Sequence, residues 1–233
     1  MPSKRYQQAA ALVEKMPYDL DRAVGVLKSF PKPKFNETVE LSFSLNIDPK
    51  KTDQVVRGTV TLPHGTGKVR RVIVFCKGEK ELQAKAAGAD AAGAADLIQK
   101  VQDGWMDFDV TVATPDMMRD VSRLGKILGP RGLMPNPKAG TVTDDVAKAI
   151  KDVKQGKVEF KMDKLANIHF VIGKASFEPA QLVENGKSAI DAVVRARPSA
   201  LKGKMIRCMC LNSTMSPGIL LKTDNLEDTS QEE

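Results

Sequence analysis

Residues 71–76 read RVIVFC, a run in which only the first position is polar. A strand with one wet face alternates apolar and polar side chains. A run without alternation is the pattern of a strand covered on both faces, as in a parallel sheet between helices. The segments that follow keep this grammar. Helical patterns cover 79–87 and about 94–102, and a second apolar strand covers 110–113. A helix is expected from about 115 to 124, and another runs to about 154 from a cap at Thr143 or Asp144. Strand and helix in alternation predict a parallel α/β unit.

On either side the grammar differs. In 38–47, Val39, Leu41, Phe43, Leu45 and Ile47 alternate with Thr38, Glu40, Ser42, Ser44 and Asn46, the antiparallel signature of one buried and one polar face. Strands are also expected at 57–62, 157–162, 167–172, 205–211 and 218–221, the second and third of these joined by a short turn. Helices are expected at 4–15, at 20 onward behind Asp19 as N-cap, and at 178–197. The simplest architecture is an α+β discontinuous domain, split β-α-β-like with an antiparallel sheet, into which an α/β Rossmann-like domain is inserted. The boundaries read as 1–66 with 157–222 for the first, 67–156 for the insert, and 223–233 for an acidic tail expected to be disordered.

Between the two halves of the insert lies GKILGPRGLMPNPKAGTV, residues 125–142, with four glycines, three prolines and no acid. Its proline spacing excludes a continuous helix or a central strand and predicts a long ordered loop anchored by Ile127, Leu128, Leu133 and Met134. Lys126, Arg131 and Lys138 make it a secondary basic candidate for phosphate contact.

Charge is uneven. All 36 Lys and Arg lie at or before Lys222, against 24 of the 29 acids, so residues 1–222 carry a formal +12. A body that basic favours a polyanion. From Ala192 to Thr223 there is no acid, while Arg195, Arg197, Lys202, Lys204, Arg207 and Lys222 are cationic; Lys204 and Arg207 join the secondary candidates. Aromatic content is 5%, which disfavours recognition by base stacking. No run reaches the ~18 apolar residues of a membrane span, and no basic helix has the apolar moment of a membrane-surface anchor. Three cysteines suit a reducing compartment, with Cys208 and Cys210 expected on opposite sides of a strand.

Catalytic chemistry finds no support. His64 and His169 stand alone, and no Cys/His cluster has zinc spacing. Gly186-Lys187-Ser188 fails as a phosphate loop because Gln181 occupies the first glycine's place, and Gly173-Lys174 fails at Ile168 and Ala175. A dinucleotide fingerprint is absent after residues 71–76. The competing class, a nucleotide-dependent enzyme using the α/β insert, therefore lacks its glycines. No catalytic residue, metal or cofactor is expected.

Residues 125–141 closely resemble the signature of the bacterial large-subunit ribosomal protein L-one family. Asp48-Pro49, Arg57-Gly58-Thr59-Val60, Leu62-Pro63-His64-Gly65, residues 103–109 (DGWMDFD), Ala113-Thr114-Pro115-Asp116 and Gly173-Lys174-Ala175-Ser176-Phe177 extend the match over nearly the whole chain before about Thr223. The resemblance implies a two-domain, non-enzymatic protein, monomeric within the cytoplasmic ribosome. Its discontinuous domain would bind large-subunit rRNA to form the mobile side stalk at the tRNA exit site. It would assist release of deacylated tRNA and repress translation by binding its own mRNA leader. The RNA face carried over from the family comprises Lys34, Phe35, Glu37, Thr38, Lys174, Ser176, Asn212, Ser213, Thr214 and Met215. Ser216 stands where the family's turn usually has glycine.

Overall fold

A computed structural model of the chain describes residues 2–49, 51, 54–198, 201 and 203–223. The tail from Asp224 and the side chain of Lys138 lie outside the described residues, as does Lys202. The chain forms two compact units, one from the stretch up to Gly67 and from Val158 onward, the other from Lys68–Lys157. Together they are mixed α/β, with a four-stranded antiparallel sheet, a two-stranded sheet and a three-stranded parallel sheet among the described residues.

In the first unit α1 (Lys4–Ala11) precedes α2 (Leu20–Ser29) and β1 (Thr38–Leu45), and β2 (Arg57–Thr61) closes this part. The alternation of β1 survives in the structure: Val39, Leu41, Phe43 and Leu45 are buried and the residues between them are half-buried. Ala23, Val24 and Leu27 of α2 pack into the same core. Each fully buried large side chain of this kind stabilises by about 1.5–3 kcal/mol relative to exposure.

The second unit opens with β3 (Val72–Phe75), buried at all four positions as a doubly covered strand must be. After it come α3 (Glu79–Ala86), β4 (Ala91–Gly93), α4 (Ala95–Gln102) and β5 (Val110–Ala113). The three strands form a parallel sheet in the order β4-β3-β5. Sequence reading missed β4, whose Ala-Ala-Gly has no strand propensity; pairing with β3 decides it. The helix expected at 115–124 is broken into turns: a 3-10 turn at Pro115–Met117, α5 (Met118–Val121), a 3-10 turn at Ser122–Leu124 and α6 (Gly125–Leu128). Helical turns thus enter the glycine-proline segment, because no proline intervenes before Pro130 and Leu128 is drawn into the core. A further 3-10 turn spans Pro137–Ala139. The last helix, α7 (Val146–Lys154), is capped by Asp145, whose carboxylate accepts the Lys148 N–H at 3.1 Å. This corrects the expectation of Thr143 or Asp144: Thr143 Oγ1 instead accepts the Asp145 N–H at 3.2 Å, one step upstream.

Back in the first unit, β6 (Lys157–Lys161) and β7 (Asn167–Lys174) do not pair with each other, although a short turn joins them. β6 pairs β2, and β7 pairs β1 antiparallel with Phe43 opposite Ile168. A long helix, α8 (Pro179–Arg195), buries Leu182, Ala189 and Val193. Gln181 Oε1 accepts the Glu178 N–H at 3.1 Å, and Pro179 opens the first turn. Gly186 lets α2 approach: a Cβ there would lie 3.0 Å from Leu20. Two final strands, β8 (Ile206–Ser213) and β9 (Ile219–Leu221), complete a sheet of order β7-β1-β8-β9. Along β8, Met209 and Leu211 are buried, while Cys208 and Cys210 are half-buried and share the other face. Their expected placement on opposite sides is therefore wrong, since positions two apart on a strand point the same way. The free edge of β9 is covered by the N-terminal segment, where Tyr18 N–H donates to Leu220 O at 2.8 Å and Lys222 N–H to Tyr18 O at 2.9 Å.

Candidate nucleic-acid interface

Antiparallel pairing brings three distant segments to one end of the four-stranded sheet. Thr38 starts β1, opposite Lys174 at the end of β7, while Val39 faces Ser213 at the end of β8. The turn after β8 is then tied to the segment before β1. Thr38 N–H donates to Thr214 Oγ1, and Thr214 N–H donates to Thr38 O, each at 3.1 Å. Glu37 is only 6% exposed and turns its carboxylate inward. It accepts the Ser213 hydroxyl and the Met215 N–H, both at 3.0 Å. Lys174 Nζ donates to Thr38 Oγ1 at 2.7 Å. Asn36 and Ser176 bond reciprocally: Asn36 Nδ2 donates to Ser176 Oγ at 3.0 Å and Ser176 N–H to Asn36 Oδ1 at 3.2 Å.

What this framework presents is apolar and cationic. Phe35 and Met215 are about half exposed, at 51% and 52%. Lys34, Asn36, Ser176 and Thr214 are exposed beside them. Ser216 needs no glycine: Ala166 alone among the described non-glycine residues has positive φ. Its Oγ accepts the Ser213 N–H at 2.9 Å and closes the turn with a side-chain bond that glycine lacks.

The structure therefore gathers Lys34, Phe35, Glu37, Thr38, Lys174, Ser176, Ser213, Thr214 and Met215, with Glu37 and Ser213 inside the framework. Asn212 stands one position back, opposite Glu40 on the polar sheet face. Lys204 and Arg207 are not part of this end. They lie before and at the start of β8, Arg207 about 20 Å from the Ser213 end at ~3.3 Å per residue and Lys204 farther back. There, Arg207 Nη2 donates to Asn46 Oδ1 at 3.5 Å. Lys126 and Arg131 are exposed in the second unit.

Two supporting cations were not singled out in the sequence. Lys28 of α2 donates through Nζ to Ala175 O at 2.8 Å and to Phe177 O, fixing the loop that carries Ser176. Burial pushes this ammonium's pKa down, and the neighbouring Lys32 charge adds to the effect. Arg5 of α1 reaches Met215 O at 3.3 Å. Nothing local in either helix marks these residues; only the tertiary fold brings them to the turn.

Both histidines are engaged in structure. His64 Nε2 lies 2.5 Å from Glu184 Oε2, and His169 Nδ1 lies 3.1 Å from Ser42 Oγ. Among the described residues no three His, Cys, Asp or Glu side chains gather as a metal set, and no helix is long and apolar enough to cross a membrane. A cleft of about 560 Å³ opens elsewhere, between the start of α2 and α8, with Asp19, Asp21, Asp191, Lys187 and Lys222 on its walls.

The chain is thus a mixed α/β protein in two units whose first unit carries a hydrogen-bonded polar turn with cations at its rim. Residues 27–217 match the model described as the Ribosomal protein L1p/L10e family, and the chain belongs to that family. This is a family of structural proteins, not enzymes; membership makes the chain a ribosome-associated constituent of the large subunit that binds ribosomal RNA.

Proposed function

We propose that the sheet end built from Thr38, Lys174, Ser176 and the Ser213–Ser216 turn is the face that holds large-subunit rRNA. The observation that carries this reading is the cross-strand network of Glu37, Thr38 and Thr214, which fixes a turn presenting Met215 and Phe35 beside Lys34 and Lys174. Structured RNA is read through shape, sugar and phosphate contacts, and a pre-set polar turn with cations at its rim suits that mode. Lys34 and Lys174 supply charge; Thr214, Ser176 and Asn36 supply short polar groups; Met215 and Phe35 supply apolar contact. Glu37 and Ser213 hold the turn from within.

The first unit acts in this reading as a discontinuous rRNA-binding domain and the Lys68–Lys157 unit as an insert. The protein forms the mobile side stalk at the tRNA exit site of cytoplasmic ribosomes, as a single copy, and assists release of deacylated tRNA. It binds its own mRNA leader through the same face, because a repressor site must imitate the rRNA shape that the turn reads. Lys126 and Arg131 of the second unit offer contacts to tRNA or to the stalk outside the primary face.

The test is a titration of the purified chain against a large-subunit rRNA stalk fragment at several salt concentrations, with an unrelated structured RNA as competitor. Tight binding that survives competition supports the reading. Equal and salt-labile binding to both RNAs overturns it, because that is the behaviour of a general polyanion surface.

A further inference from the structure

Arg5 lies in α1, outside the family-matched span of residues 27–217, yet its side chain ends at the candidate face. Nη2 donates to Met215 O at 3.3 Å, Nη1 donates to Pro31 O at 3.5 Å, and Nη1 stands 3.8 Å from Glu37 Oε1. Glu37 Oε1 in turn accepts the Met215 N–H at 3.0 Å. The backbone of Met215 is thus held on both sides, by a carboxylate at its N–H and a guanidinium at its carbonyl, while its side chain stays half exposed between them.

We infer that Arg5 is a positioning residue for RNA recognition, fixing the Met215 turn in the conformation that the RNA meets. This rests on the proposed rRNA face. The argument is one of geometry. Three acceptors from two segments, the α2–β1 connection and the turn after β8, converge on one planar group, and only a guanidinium offers several donors in a fixed fork. Lysine carries the same charge on a single nitrogen and lacks the two separate donor nitrogens that Arg5 aims at the Met215 and Pro31 carbonyls. The Arg5–Glu37 pair also neutralises a carboxylate beside a face that must accept phosphate. An ordered turn gives up less conformational entropy on binding, so its loss shows first in affinity for the matched RNA.

The experiment compares the full chain with Arg5→Gln and Arg5→Lys, using the stalk fragment, the unrelated structured RNA and amide hydrogen exchange of the free proteins. The expected result for Arg5→Gln is about a tenfold weaker stalk affinity, with the unrelated RNA changed by less than about twofold. Exchange at Met215 should rise while the amides of β1 and β7 keep their protection. Arg5→Lys should not restore either property. Should Arg5→Gln lose protection throughout β1 and β7, Arg5→Lys alone is scored. Full stalk affinity and unchanged Met215 exchange in Arg5→Lys would overturn the inference, leaving Arg5 as simple charge. Unchanged discrimination in both variants would overturn it too. A parent chain that itself fails to discriminate would overturn the proposed rRNA face and this inference together.

Discussion

At the scale of single residues, Thr214 and Met215 divide the work of the turn. Thr214 Oγ1 accepts the Thr38 N–H, and Met215 projects its thioether side chain outward. Replacing Thr214 with Val removes an acceptor, and replacing Met215 with Ala removes exposed apolar surface; neither opens the core. Each change is expected to weaken stalk-fragment binding about five- to tenfold with little shift in melting temperature, read by titration and circular dichroism. Unchanged affinity in both variants would remove the turn from the site. Asn185 of α8 presents the opposite case, a buried side chain bonded to backbone rather than presented at the turn. It is fully buried, accepts the His64 N–H at 3.1 Å, and donates to Gly65 O at 2.9 Å and Ile172 O at 2.8 Å. Asn185→Ala strands all three backbone groups, and calorimetry should show a loss on the order of 3 kcal/mol, or about 10 °C. A shift within about 2 °C would mean that water replaces the amide.

At the scale of elements, the turn between β6 and β7 is governed by Asp163. Its Oδ1 accepts the N–H of Asn167 at 2.7 Å and of Leu165 at 2.8 Å, which holds the carboxyl below its usual range. A depressed carboxyl contributes stability that is present above its unfolded value, about 3.9, and lost as pH falls through the folded value. Acid unfolding of the parent should therefore steepen below about pH 4 relative to Asp163→Asn, and superimposable curves would remove Asp163 from the account. Element by element, legibility followed the strength of the local signal. β1 was readable because five apolar residues alternate without interruption, and β3 because its run admits no alternation. The partner of β6 was not readable: nothing in its own residues points to β2, far back in the chain, with which it pairs. β4 was invisible because alanine and glycine carry no strand signal of their own. The same limit applies to the site. Motif matching pointed to Thr38, Ser176 and Thr214, but the inward turn of Glu37 and the reach of Arg5 and Lys28 depend on tertiary geometry that no local pattern encodes.

At the scale of the whole molecule, positive charge is spread over both units, so charge alone does not locate the primary face. If that face is the Thr38–Met215 end, a double change of Lys126 and Arg131 to Gln should leave stalk-fragment affinity within about twofold while reducing the salt slope only slightly. A tenfold loss would move the primary contact to the second unit. The matched span of residues 27–217 stops short of β9 and begins after Tyr18, the two segments that finish the sheet's outer border. Tyr18 bonds alongside Leu220 and Lys222, so the β9 border offers no open ladder to another strand there. That feature bears on solubility. A chain shortened by residues 1–18 would lose this cover, together with Arg5, and expose a hydrogen-bonding template ending in Ile219, Leu220 and Leu221. Light scattering should detect its self-association at concentrations where the full chain stays dispersed.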